Sequence, residues 1–301
     1  MWFHYTFILI SVVMFGGGFA LQDLYQKKRG SGIRYSMESS CIGALAGAVV
    51  LLLINGLSFE STPFTLLMAV LTALDGMAFT FFAFKALDRI NLSLFSLFAM
   101  LGGMALPFFQ GILFYGEPFT LSKGVCVGFI CAALLCTVER GRGKGGVVFY
   151  AGVFVLNGMA GVIAKLFTES TLPKASAAAY SAWCAVATAV LSGVVWMLLS
   201  LIEKRKTTSE NIEKSDNVCK KTWQAHGIGA LYGIINKVAN FLLVLSLVHV
   251  DASVQYPMVT GGTMIVSTLI SCFGSRKPSR REIMSVGLAF CGMLALFLIP
   301  V

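Results

Sequence analysis

Charge is scarce in this sequence. Only 12% of its 301 residues are Asp, Glu, Lys or Arg, against 57% hydrophobic, and the mean hydropathy is +0.81. Soluble domains carry about 25% charged residues. A water-soluble enzyme, a disordered chain and a nucleic-acid-binding domain are excluded on that ground, since none could cover or solvate so much apolar surface. Histidine is also rare: His4, His226 and His249 are scattered and form no HExxH or HxE pattern, so no metal site is expected. No GxxxxGK[ST] is present, so no nucleotide cofactor is implied, nor any other cofactor. Of the eight cysteines none forms a CxxC pair, and Cys126, Cys131, Cys136, Cys184, Cys272 and Cys291 lie inside apolar runs. They read as small packing residues, not a disulfide framework. No basic residue precedes Lys27, so the first apolar run lacks the charged front of a signal peptide and reads as a retained span.

Apolar length, by contrast, is abundant. A helix crosses a bilayer with about 20 mostly apolar residues. Ten such runs are expected, at roughly 5–25, 37–57, 64–86, 92–115, 119–138, 146–167, 175–201, 226–248, 252–273 and 282–300. The longest polar stretch, 203–224, reads as a charged linker loop. The expected fold is an all-α integral membrane protein of ten transmembrane helices.

An internal repeat organises them. At an offset of 159 residues Gly102-Gly103 falls on Gly261-Gly262, and Val127-Gly128 on Val286-Gly287. At 160, the stretch from Leu87 to Ser93 falls on that from Leu247 to Ser253. Residues 1–138 and 146–301 then form two five-helix repeats. An odd number of crossings inverts the second relative to the first, the plan of many secondary transporters, with a substrate site near the midplane. The glycine doublets at span centres suit either a hinge or close helix packing.

The net charge of +9 is placed asymmetrically. Loops are numbered here in chain order, loop 1 joining the first two spans. Of the 23 basic residues, 19 fall in odd-numbered loops, all but Lys123, Lys165, Lys174 and Lys237. The positive-inside rule then makes the odd loops cytoplasmic and puts both termini outside. The expected location is a bacterial-type plasma membrane.

Uncompensated charge at mid-span costs about 2.5–3.5 kcal/mol on insertion scales. Two such charges stand out, Asp75 in the third span and Lys237 in the eighth, equivalent spans of the two repeats. They are expected to meet across the pseudo-twofold axis, either as a permanent salt bridge between the repeats or as groups that hold substrate. Polar and small residues recur at helical spacing beside them: Gly229, Gly233, Asn236 and Asn240; Thr72 and Gly76; Asn157, Gly158 and Gly161; Tyr256, Thr260, Thr263 and Ser267; Ser11, Gly18 and Gln22; Ser96, Gly103, Pro107 and Gln110. Such residues also pack helices against one another. Six stripes together point to a shared wet cavity whose substrate-binding residues are Asp75, Lys237, Asn157, Asn236, Asn240, Tyr256, Thr260, Thr263, Gln22 and Gln110. The fifth and tenth spans, without mid-span charge, belong at the periphery. The expected partners are a small-molecule substrate and membrane lipid.

The stretch from Ser93 to Cys136 resembles the end of an EamA-type half of the drug/metabolite transporter superfamily. The matching features are mid-helix Pro107, Gly116-Glu117 at the turn, a polar start to the next helix and Gly128 within it. Asn157-Gly158 and Lys165 are similar to the family's opening-helix pattern. The resemblance implies a basket of ten helices around a central cavity, and export or exchange of small metabolites. The chain departs from the pattern in three ways. Arg276-Lys277 stands where the first repeat has Glu117-Pro118; the charge bias puts the termini outside where the family keeps them in the cytoplasm; and the first span lacks the membrane glutamate of the four-helix multidrug exporters. A secondary transporter of small polar metabolites, one half rocking against the other, is the expected function, and not an enzyme. The alternatives are an exporter of drugs or lipid-linked sugars, an integral membrane enzyme, or a non-transporting scaffold.

Overall fold

A computed structural model describes residues 2–58, 60–90, 92–116, 120–137, 147–206, 215–250, 252–273 and 278–299. Within them the chain is built of α-helices: α1 Trp2–Arg29, α2 Ile33–Ile54, α3 Pro63–Leu87, α4 Leu92–Phe114, α5 Leu121–Thr137, α6 Val147–Glu169, α7 Ala177–Lys206, α8 Ser215–Leu247, α9 Ala252–Cys272 and α10 Arg280–Leu298. A helix satisfies its own main-chain N–H and C=O groups, which lipid cannot do. Among the described residues seven helices, α1 to α4 and α6 to α8, are long and apolar enough to cross a membrane. Shorter apolar runs occupy Met258–Cys272 and Ile283–Gly292.

Local chemistry sets the ends. Gly30, at a φ of +110°, closes α1, its N–H bonding the Gln26 carbonyl at 2.7 Å. Thr62 caps α3, its Oγ1 accepting from the Thr65 N–H at 3.1 Å, and Pro63 follows in the first turn. The expected linker 203–224 is shorter than its composition suggested. α7 continues to Lys206 and α8 begins at Ser215, leaving 207–214 outside the described residues. The apolar window marks only the part of a helix that meets lipid, whereas Lys, Glu and Gln sustain helix in water equally well.

Packing interleaves the chain. α1 lies on α8 and α9, α2 on α7 and α8, α3 on α6 and α7, and α4 on α6 and α9, while α5 packs on α10. Residues 1–138 and 146–301 are therefore interlocked rather than side by side. At the odd-loop end, Glu38 is 1% exposed and holds the ends together: Arg29 donates to both carboxylate oxygens at 2.6 and 2.8 Å, and His226 Nε2 lies 2.5 Å away. Arg34 pairs with Glu203 of α7 nearby. At the even-loop end, Trp183 Nε1 donates to the Glu60 carbonyl at 3.1 Å, and Lys174 caps the end of α6 through the Phe167 and Ser170 carbonyls.

Glycine permits the closest approaches. Gly43 of α2 faces Gly233 of α8, and a Cβ on Gly43 would stand 3.0 Å from the Gly233 Cα. Gly102 of α4 meets the main chain of Phe154 on α6, and Gly262 of α9 meets the Val12 side chain on α1. The mid-span doublets thus serve close packing. Gly233→Ala would drive its Cβ into the Gly43 main chain, which has no rotamer to escape by. Overpacking costs about 1–3 kcal/mol even where side chains can adjust. The expected result is a lower melting temperature and yield in detergent, with Gly227→Ala, whose Cβ meets nothing within 4 Å, as the unaffected control.

Candidate functional site

Eight helices, α1 to α4 and α6 to α9, surround a cavity of about 220 Å³. α3 contributes Thr72, Asp75, Gly76, Phe79 and Thr80 to its wall; α8 contributes Tyr232, Gly233, Asn236, Lys237 and Asn240. Asn157 and Gly161 of α6 and Tyr256 and Thr260 of α9 face the same space, as do Phe15 and Phe19 of α1. Among the described residues, none of α5 or α10 lines it.

Seven of the ten expected site residues therefore share one cavity: Asp75, Lys237, Asn157, Asn236, Asn240, Tyr256 and Thr260. Thr263, Gln22 and Gln110 do not line it. Thr263 is 0% exposed and one turn beyond Thr260, where the wall has closed. Gln22 is likewise buried one turn past Phe19 on α1, and Gln110 is buried on α4 beyond Pro107. Helical spacing reports the face of a residue but not how deep a cavity runs along that face.

Asp75 and Lys237 do not meet. No ion pair joins them: Lys237 Nζ donates instead to Thr188 Oγ1 of α7 at 3.3 Å, and Asp75 has no hydrogen bond or ion pair among the described residues. The cause lies in the packing. α3 rests on α6 and α7 while α8 rests on α1 and α2, so the two helices form separate walls with the cavity between them. The Lys237 stem runs over Gly47 of α2, where an added Cβ would come within 2.7 Å of its Cγ.

The neutral polar groups are mostly occupied. Asn157 Nδ2 donates to the Ala99 carbonyl at 2.7 Å, Tyr256 Oη to the Gly161 carbonyl at 3.1 Å, and Thr260 Oγ1 to the Met100 carbonyl at 3.1 Å. Thr72 Oγ1 and Tyr180 Oη are 2.8 Å apart. Asn240 Nδ2 bonds back to the Asn236 carbonyl at 2.8 Å. These bonds hold the walls in place. The ionisable groups on the wall are Asp75 of α3 and Lys237 of α8, which are not paired with each other.

Two walls escaped the sequence reading. α2 adds Ser39, Ser40 and Gly43, and α7 adds Tyr180, Ser181, Cys184 and Thr188. Ser181, Cys184 and Thr188 do recur at helical spacing, a signal present in the sequence but diluted by the alanines between them. Lys165, noted at the end of the sixth span, lies outside the cavity wall with its Nζ 4.9 Å from the centre of the Tyr115 ring.

No protein-family model matches the chain, and no curated protein does either. One solved structure, described only as "Crystal structure of protein", aligns over 96% of this chain and 96% of its own, with a TM-score of 0.60 at 16% identity. That likeness extends to the fold alone. In a variant cleared of native cysteines, Asn240→Cys should react with a water-soluble thiol reagent at least about tenfold faster than Thr263→Cys, because only an accessible thiol ionises and reacts readily. Equal rates would mean that the cavity extends deeper along α9.

Proposed function

We propose that the protein is a secondary transporter of small polar metabolites, working by alternating access from a cavity between two inverted five-helix repeats. The observation that carries this reading is that Asp75, without a hydrogen bond or ion pair among the described residues, and Lys237 line one cavity of about 220 Å³ among helices apolar enough to cross a membrane. Such charges are expensive in a membrane and mark substrate or ion paths. The packing supports the repeat. Exchanging each helix for the one five places away maps α1–α8 onto α3–α6, α2–α8 onto α3–α7, and α1–α9 onto α4–α6. α2–α7, α4–α9 and α5–α10 map onto themselves. The EamA-type resemblance accords with all of this.

The two poles suggest the substrate: a molecule with an ammonium group for Asp75 and an anionic group for Lys237, its body against the aromatic rings of Phe79, Tyr180 and Tyr256. A thermal-shift screen of amino acids, polyamines, nucleosides and quaternary amines against purified protein, followed by flux in liposomes, tests the reading. Stabilisation by quaternary amines alone would favour the multidrug alternative, and no response to any class would favour a scaffold.

With no bridge to break, Asp75→Asn and Lys237→Met should each leave folded protein intact. A charged hydrogen bond contributes about 1.5–3 kcal/mol, so each should weaken substrate binding by roughly ten- to a hundredfold. Loss of folded protein on either substitution would instead assign the pair a structural role.

The charge bias of the loops supports cytoplasmic odd loops in a plasma membrane. A phosphatase fused after Val301 should be active and a fluorescent protein there dark; the reverse result would favour the family's usual orientation.

A further inference from the structure

The cavity runs toward both ends of the bundle. Its wall includes Leu247 on α8 and Gln255 on α9, flanking the α8–α9 turn at the even-loop end. Toward the odd-loop end it reaches Ser39 on α2, next to Glu38, but on α1 and α3 its last lining residues are Phe19 and Thr80. There α1 and α3 approach each other in two layers. In the inner one Phe95 of α4 bridges them, 5.1 Å from Phe19 of α1 and 6.3 Å from Phe79 of α3. In the outer one, Tyr25 lies 6.0 Å from Phe84, and Gln26 Nε2 donates to the Phe84 carbonyl at 2.7 Å.

This seam differs from the rest of the bundle. Elsewhere α1 packs on α8 and α9, and α3 on α6 and α7. α2 and α8 are locked through Gly43 and Gly233, and Arg29 of α1 and His226 of α8 both hold Glu38 of α2. α1 and α3 thus rest on different neighbours, and among the described residues they meet at this seam through rings and one side-chain hydrogen bond, while α2–α7 and α4–α9 packing joins the two sides of the bundle elsewhere.

The α1 face that lines the cavity continues into the closed seam. Phe15, Phe19, Gln22 and Gln26 follow one another at helical spacing. Gln22 is 0% exposed, and among the described residues neither of its amide atoms nor Gln26 Oε1 has a partner. Buried polar atoms are nearly always satisfied, and leaving them unmade is unfavourable. Water entering an opened seam would supply partners for them.

We propose that the α1–α3 seam is the second mouth of the cavity, on the odd-loop face, with Gln26 on the Phe84 carbonyl as its latch and Gln22 as the first polar group inside it. The inference rests on the transporter reading, since only a protein that opens to both faces needs such a mouth.

The test needs no substrate. In a variant cleared of native cysteines, Ala160→Cys places a thiol on the α6 wall of the cavity. A membrane-impermeant thiol reagent is applied to either face of sealed vesicles, with Ser31→Cys and Ser61→Cys in loops 1 and 2 identifying the faces. The cavity thiol should react from the even-loop face and only slowly from the odd-loop face. Gln26→Met keeps the length of the side chain without its donor, and should raise the odd-face rate roughly five- to tenfold, the shift that one lost hydrogen bond produces. Gln26→Glu serves if the first variant folds poorly, because an ionised carboxylate cannot donate to the carbonyl. Gln22→Cys should become reactive from the odd-loop face in either background. Equal labelling from both faces with Gln26 intact, or an odd-face rate that neither variant moves, would overturn the latch. A normal latch response together with no binding in the thermal-shift screen would count against the transporter reading alone.

Discussion

Gly43 of α2 and Gly233 of α8 touch main chain to main chain, and much of the molecule is arranged around that contact. Without side chains between them the helices lie close enough for the Lys237 stem to cross Gly47, which carries its ammonium group to Thr188 of α7. Lipid offers no hydrophobic drive between helices, so such contacts must come from tight packing and hydrogen bonds. The same device recurs where Gly102 and Gly103 of α4 admit α6, leaving Asn157 in reach of the Ala99 carbonyl. Each tight pair turns a polar stripe inward, and the inward stripes together enclose the cavity.

What distinguishes this interior is the way it handles charge. At the odd-loop end the buried Glu38 is matched by Arg29 and His226, so the cost of removing it from water is offset by two strong partners. In the cavity Asp75 has no such match. A matched cluster ties helix ends together, whereas Asp75 makes no such tie among the described residues.

The seam between α1 and α3 follows the same logic one level up. α2 and α8 are joined by a glycine contact and the Glu38 cluster, whereas α1 and α3 meet through rings and the Gln26 bond, beside Gln22 and Gln26 amide atoms that lack partners among the described residues.

Composition and apolar periodicity by themselves determined that this is a helical membrane protein, where its helices run and which charges are out of place. Those properties are local: a helix in lipid is dictated by its own twenty residues, and a mid-span Asp75 or Lys237 is conspicuous whatever surrounds it. The seven residues that do share the cavity were legible because helical spacing puts Asn236, Lys237 and Asn240 on one face. Tertiary structure alone decided that Asp75 and Lys237 stand on separate walls, that α2 and α7 complete the cavity, and that Thr263, Gln22 and Gln110 lie beyond its end. Each depends on which helix packs against which and at what depth the packing closes, and a one-dimensional pattern carries rotation about the helix axis but neither distance nor depth.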